Sequence, residues 1–214
     1  MLRNFTKFDI SNLDKYYRIN LINSFLGVKP AILVGTVDEA GKHNLAIFSQ
    51  VFHVGANPPL IGMLFRPDTV ERHTLSNLRA TKSATINLVP THLYKQAHWT
   101  SARFETSEFD ACGFTPEWRS EFTAPFVAES TQKCAVSLVE LTEIKANGTW
   151  LAILVMEFLI IEEENLHADG FLDCERGSQL SVAGLDAYYK SALIGRLAYA
   201  KPDKLPEDLR LITN

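Results

Sequence analysis

Three neighbouring segments, "AILVGTV", "NLAIFSQVFHV" and "PLIGMLF", carry apolar and β-branched residues at both odd and even positions. A strand with one wet face alternates apolar with polar, so apolar residues of both parities mean that both faces of these strands are covered. A turn at "DEAGKH" makes the first two a hairpin, and Asn57-Pro58-Pro59 leads into the third. Further strands are expected at "SATINLV", "KCAVSLVELTEIK" and "TWLAILVMEFLIIE", with Asn147-Gly148 turning between the last two. The expected fold is mainly β, a mostly antiparallel barrel with peripheral helices.

The helical signals are fewer. Val70, Thr74, Leu75 and Leu78 would share one face of a helix within residues 69 to 81. "SNLDKYYRINLINSFLG" reads as a helix capped at Ser11 or Asn12 and ending at Gly27, with Tyr16, Ile19 and Ile22 as its stripe. Short helices are expected at "THLYKQAHW" and "ETSEFDACG", and a solvated hairpin end at "EEENLHADG", turning at Asp169-Gly170. No repeat or Gly/Ser linker divides the chain, so residues 1 to 214 are expected to form a single domain.

Composition excludes several classes. Apolar residues make up 46% and charged residues 21%, as in ordinary folded proteins. A net charge of −4 argues against a surface that neutralises many nucleic-acid phosphates, so any anion site must be local. Cys112, Cys134 and Cys174 are odd in number and widely spaced, giving neither a disulfide framework nor a paired metal motif. Cys134 belongs to a buried strand and is expected to be inert, whereas Cys112 and Cys174 lie in turn-rich segments open to exposure. His92 and His98 match no zinc spacing, and no metal site is expected. The N-terminus lacks the apolar core of a secretory signal, and "WLAILVMEFLII" is too short for a bilayer and contains Glu157. A cytoplasmic protein without membrane contact is therefore expected.

Two polar constellations stand out. Asn44, Ser49, Gln50 and His53 interrupt the apolar second strand, whose outer face needs a planar ligand or a second subunit unless these residues simply mark a sheet rim. In an unbroken strand Asn44 and Ala46 face opposite to Ser49, so a bulge or strong twist is expected between them if both ends meet one ligand. The second is "RPDTVERHTLSNLR", where Asp68 or Thr69 could cap a helix crowded by Arg66, Arg72, His73, Thr74, Asn77 and Arg79. Residues 66 to 82 hold four basic and two acidic side chains, which suits a phosphate at the helix start or, equally, a solvated amphipathic helix. There is no G-x-G-x-x-G and no P-loop, so a separate nucleotide site of either kind is not expected.

In order along the chain, "KPAILVGTVDEAGKHNLAIFSQVFHVGANPPLIGM", "RHTLSNLRATKSATINLV", "FDACGFTP" and "AGLDAYYKSALIGRLAYAKP" resemble the flavin reductase-like proteins of the FMN-binding split-barrel fold. The resemblance covers roughly residues 20 to 200. It implies an antiparallel split β-barrel, FMN rather than FAD in a groove at a homodimer interface, and hydride transfer from NAD(P)H to a second acceptor such as a partner oxygenase. It further implies that Asn44, Leu45, Ala46, Ser49, Gln50 and Val51 run beside the isoalloxazine, with Thr36 on the neighbouring strand. Arg72 and Thr74 would hold the phosphate, assisted by Arg66 and Asn77; His73 departs from relatives that carry Asp or Ser there. His53 is the candidate for orienting the nicotinamide or modulating the flavin, against a purely structural role. Tyr188, Tyr189 and Tyr199 either cover the flavin or pack the dimer. The alternatives are a flavin-binding electron carrier or sensor, and a split-barrel interaction protein without cofactor.

Overall fold

The N-terminal segment forms two helices where one was expected. In the computed structural model, which describes residues 1–209, Thr6 and Asp9 form a reciprocal capping box for α1 (Lys7–Asn12). Asp14 then accepts the Tyr16 and Tyr17 N–H groups and starts α2 (Lys15–Phe25). The expected caps, Ser11 and Asn12, instead bond back to the Lys7 and Phe8 carbonyls. Gly27 turns the chain at φ +74°, as anticipated. Neither helix buries a residue, so the stripe of Tyr16 and Ile22 is uncovered by the chain itself.

The strands follow as β1 (Lys29–Pro30), β2 (Ile32–Val37), β3 (His43–Phe48), β4 (Val51–Ala56) and β5 (Pro59–Phe65). After α3 (His73–Thr81) come β6 (Ser83–Leu88) and the short helices α4 (Tyr94–Trp99) and α5 (Glu108–Cys112). The remaining strands are β7 (Pro116–Arg119), β8 (Phe122–Val127), β9 (Gln132–Ile144), β10 (Thr149–Ile161), β11 (Leu180–Ala183) and β12 (Ala187–Lys190). The hairpin β7–β8, where no strand was expected, lies against β2 and β6. It can approach closely because Gly35 of β2 has no side chain: a Cβ there would stand 2.2 Å from the Pro125 carbonyl oxygen.

The large sheet has the order β3-β2-β6-β9-β10-β5-β4, antiparallel throughout. Its two edge strands are consecutive in the chain, separated only by Ser49 and Gln50. In a flat sheet six inter-strand spacings would put those edges roughly 29 Å apart. The three chain steps from Phe48 to Val51 reach only about 10 Å. The sheet must therefore curl until its edges meet, and the result is a split antiparallel barrel. Leu64 N–H donates to the Gln50 carbonyl at 2.9 Å, fastening the link to β5. β3 itself keeps regular register to Phe48, with no bulge between Ala46 and Phe48; the strand instead breaks off before Ser49 and Gln50.

The two apolar parities of β2 serve two cores. Ile32 and Val34 point inward with Met63, Phe65, Leu78 and Leu154, while Leu33 packs outward with Leu45, Phe109, Val127 and Leu180. Of the two cysteines open to exposure, Cys112 belongs to the second core and is buried, and Cys174 is exposed. The 162–170 segment does turn at Gly170, but its inner side is not solvated: Asn165 and His167 are buried, and His167 Nε2 lies 3.4 Å from Asp173 Oδ2.

Asn87 of β6 ties three strands together. Its amide nitrogen donates to the Leu33 carbonyl at 3.1 Å and to Thr85 Oγ1 at 3.0 Å, and its oxygen accepts the Val127 N–H at 2.9 Å. Asn87→Ala leaves a buried donor and buried acceptors unpaired, with an expected loss of about 2–4 kcal/mol in a denaturant titration. A loss under about 0.5 kcal/mol would show that these bonds do not hold β8 to the barrel.

Candidate functional site

The site begins with an edge-strand problem. β3 pairs with β2 on one side, and its other side is a row of backbone groups without a strand neighbour. Two helical side chains cover part of that row: Glu108 Oε2 accepts the Leu45 N–H at 3.2 Å, and Thr100 Oγ1 accepts the Ile47 N–H at 3.0 Å. Ser107, the cap of α5, sets the helix that delivers Glu108. Ser49 comes next in the same parity and opens onto a cleft of about 810 Å³.

At one end of the cleft lies the start of α3. Asp68 was expected to cap it but is engaged elsewhere: it pairs with Arg79 at 2.9 Å, and that bond holds its carboxyl below the usual carboxylate range. Arg79 also lies over the Trp150 ring at 4.3 Å, which fixes the pair away from the helix start. Thr69 does not cap α3 either; the cap position is Arg72, which makes no side-chain cap bond, so the first N–H groups of α3 stay available. Arg72 Nε donates to the Pro67 carbonyl at 2.9 Å, and its terminal nitrogens have no partner among the described residues. Arg66 and His73 line the same end, His73 at 3.7 Å from the Glu71 carboxylate.

Beneath this end runs a buried polar network. Asn44 Nδ2 donates to Thr74 Oγ1 at 3.0 Å and to Thr36 Oγ1 at 3.3 Å, and Asn77 Nδ2 donates to the same Thr36 oxygen at 3.1 Å. Four side chains from β2, β3 and α3 thereby lock the helix start to the strand.

Of the residues singled out from the sequence, Asn44, Ala46, Ser49 and Gln50 line the cleft along β3, and Arg66, Arg72, His73 and Thr74 line it at α3. The other five do not form its walls. Thr36 and Asn77 lie under it in the network, Leu45 turns its side chain into the second core, and Val51 packs on the barrel core. His53 is exposed on β4 and belongs to no wall of the cleft, so its proposed contact with nicotinamide or flavin has no support within one chain.

The opposite wall is formed by His98, Thr100, Arg103, Phe104, Glu108 and Tyr188; of these, only Tyr188 was named from the sequence as a possible cover of the site. Its helices were expected, but nothing local indicated that they face β3. His98 Nδ1 and Tyr188 Oη are 2.8 Å apart, joining α4 to β12, and burial together with Asp186 pushes the Tyr188 hydroxyl up. Among the described cysteines, burial drives Cys134 up to about 12 and Cys112 up to about 11, the latter also opposed by Glu108; neither lines the cleft.

Thr36→Val removes the shared acceptor and strands two buried amide donors, so a loss of about 1–3 kcal/mol in unfolding free energy is expected, with Thr36→Ser close to the parent. Equal stability for Thr36→Val and the parent would remove the network as the support of α3.

Comparison with known proteins gives the geometry its context. The crystal structure of a Shewanella frigidimarina protein described as a flavin reductase with split barrel domain superposes with a TM-score of 0.89 at 44% identity, covering 92% of this chain and 100% of that one. Nitrilotriacetate monooxygenase component B from Bacillus cereus has a TM-score of 0.79 at 18% identity over 92% of this chain and 99% of its own, a likeness of fold. An uncharacterized protein of Aquifex aeolicus is 27% identical over 128 residues, which span 58% of this chain and 65% of that relative's length. The family model for the flavin reductase like domain matches residues 28–174, and the chain belongs to that family.

Proposed function

We propose that the cleft holds flavin mononucleotide and that the protein is a flavin reductase-type oxidoreductase, taking hydride from NAD(P)H and delivering electrons to a second acceptor. One observation carries this: a single cleft joins a basic, uncapped helix start to a strand break with small, apolar and polar side chains side by side. Its volume of about 810 Å³ falls within the range of cofactor sites.

The residues present fit the cofactor's parts. Arg72, Arg66 and the free N–H groups of α3 suit a phosphate, where charge-assisted hydrogen bonds are strongest. Ala46 and Phe48 offer flat apolar contact for a ring, and Phe48 is braced edge-on by Phe65 at 5.3 Å between centroids. Ser49 and Gln50 bring hydrogen-bonding groups to the seam for a polar ring edge. When bound, the flavin supplies hydride acceptance and electron delivery; the chain supplies position, a dry wall and a fixed positive field. Arg103, on the far wall without a partner among the described residues, faces whatever second ligand enters.

A homodimer belongs to the same proposal. Phe25 and Leu26 at the end of α2 are exposed, and Asn23 of that helix already lines the cleft, so a second copy covering α2 would also border the site.

A visible spectrum of the purified protein supplied with FMN, followed by anaerobic addition of NADH and then NADPH, tests this directly. The expected result is a bound yellow flavin that bleaches rapidly; bound colour that persists identifies a carrier instead, and no binding at saturating FMN removes the cofactor. Arg72→Ala combined with Thr74→Ala is expected to weaken FMN on the order of tenfold to hundredfold while changing riboflavin little, because only FMN carries the phosphate that these side chains hold. Equal weakening of the two flavins would move the phosphate elsewhere.

A further inference from the structure

One carboxylate in the cleft has no part in holding a phosphate or a ring. Glu108 is only 9% exposed, and it lines the cleft. Oε2 is occupied by the Leu45 N–H, whereas Oε1 receives no hydrogen bond and meets no cation among the described residues. A carboxylate largely withdrawn from water is costly unless donors reach it, and Oε1, which is not among the buried atoms without a partner, can meet a donor that enters the cleft Glu108 lines. Its influence extends to its neighbour: Glu108 helps hold the Cys112 thiol in its protonated form.

Position along β3 indicates what that donor is. Glu108 is anchored at Leu45, next to Asn44, whose amide holds Thr74 at the start of α3. Ser49 is four residues further, about 13 Å along an extended strand. Glu108 therefore stands nearer the basic end of the cleft than the seam. A carboxylate cannot face phosphate oxygens, which offer only acceptors and repel it. In a flavin nucleotide, the groups between the phosphate and the ring are the hydroxyls of the ribityl chain, and these are donors. Resting on the flavin reading of the cleft, we infer that Glu108 is a binding residue whose free oxygen accepts hydrogen bonds from the ribityl hydroxyls and selects flavins that carry that chain.

The measurement is an equilibrium titration by flavin fluorescence, using FMN, riboflavin and lumiflavin, which has the ring without the ribityl chain. The parent protein binds riboflavin at least about tenfold tighter than lumiflavin. Glu108→Gln keeps an acceptor for the Leu45 N–H but removes the charge, and weakens FMN and riboflavin by one common factor of about five while leaving lumiflavin unchanged. Equal losses for all three ligands, or none for riboflavin, would overturn the assignment, as would tighter FMN binding, which would put Glu108 beside the phosphate. Should the variant not fold, the parent's riboflavin to lumiflavin ratio decides, and a ratio near one rejects the inference. Failure of the parent to bind any of the three flavins defeats the reading of the cleft itself, a result distinct from all of these.

Discussion

Two residues must join strands that occupy opposite edges of a seven-stranded sheet, and the rest of the structure follows from that constraint. Because Ser49 and Gln50 cannot span an open sheet, β3 and β4 are drawn together and the barrel closes around its core. They do not pair, so the closure is a seam rather than a ladder, and the side of β3 away from β2 is left without a strand neighbour. A bare edge is both an aggregation hazard and a source of unsatisfied hydrogen-bonding groups. The chain covers part of it with Glu108 and Thr100 and leaves the remainder facing the cleft. The site is the uncovered length of the edge that closure creates.

Polar groups are placed in this region with little redundancy. Thr36 serves two amide donors at once, Asn44 bridges a strand and a helix, and Thr100 accepts from Ile47 while donating to the Ala97 carbonyl. Each of these buried groups is accounted for by another, so positioning of the cleft wall and stability of the barrel depend on the same bonds. The start of α3 is the exception. Its cap position is held by Arg72, which makes no side-chain cap bond, while Asp68 lies four residues earlier and pairs with Arg79; the helix is left with its positive end open toward the cleft. An uncapped helix start forgoes on the order of 1 kcal/mol, a modest cost that leaves N–H groups available to an anion.

What could be read from the sequence divides by range. Apolar residues of both parities in "AILVGTV" and "NLAIFSQVFHV" are a local record of two-sided burial, and they indicated a barrel with cover outside it. "NLAIFSQVFHV" was read as one strand where the structure has β3 and β4, although the polar residues Ser49 and Gln50 that part them were visible as interruptions of that pattern. Side-chain direction was not: Leu45 and Val51 were grouped with Ala46 and Ser49, yet they point into two different cores. Thr36 and Asn77 were recognised as belonging near the site, but whether a threonine or asparagine faces a ligand or supports a neighbour depends on contacts made 41 residues apart in the chain. The Asp68 cap was misassigned because α3 begins only at His73, and Asp68 instead pairs with Arg79, 11 residues downstream. Glu108 is 63 residues from Leu45, and no local periodicity links them.

Among the exposed apolar side chains, those of α2 bear on the cleft. Phe25 and Leu26 close α2 at 80% and 76% exposure, and Ile194, Tyr199 and Leu205 lie exposed beyond β12. Scattered apolar side chains need no explanation on a protein surface, but a helix that buries nothing of its own does, since a short helix draws most of its stability from packing one face. α1 and α2 are well capped and yet have no core to pack on within the chain. Since Asn23 of α2 forms part of the cleft wall, whatever covers that helix also limits the approach of a ligand. In the proposed dimer the partner would supply both at once. Folding of the N-terminal helices, association of two chains and closure of the cleft would then be one coupled process, and the affinity for a ligand would depend on protein concentration as well as on the residues that touch it.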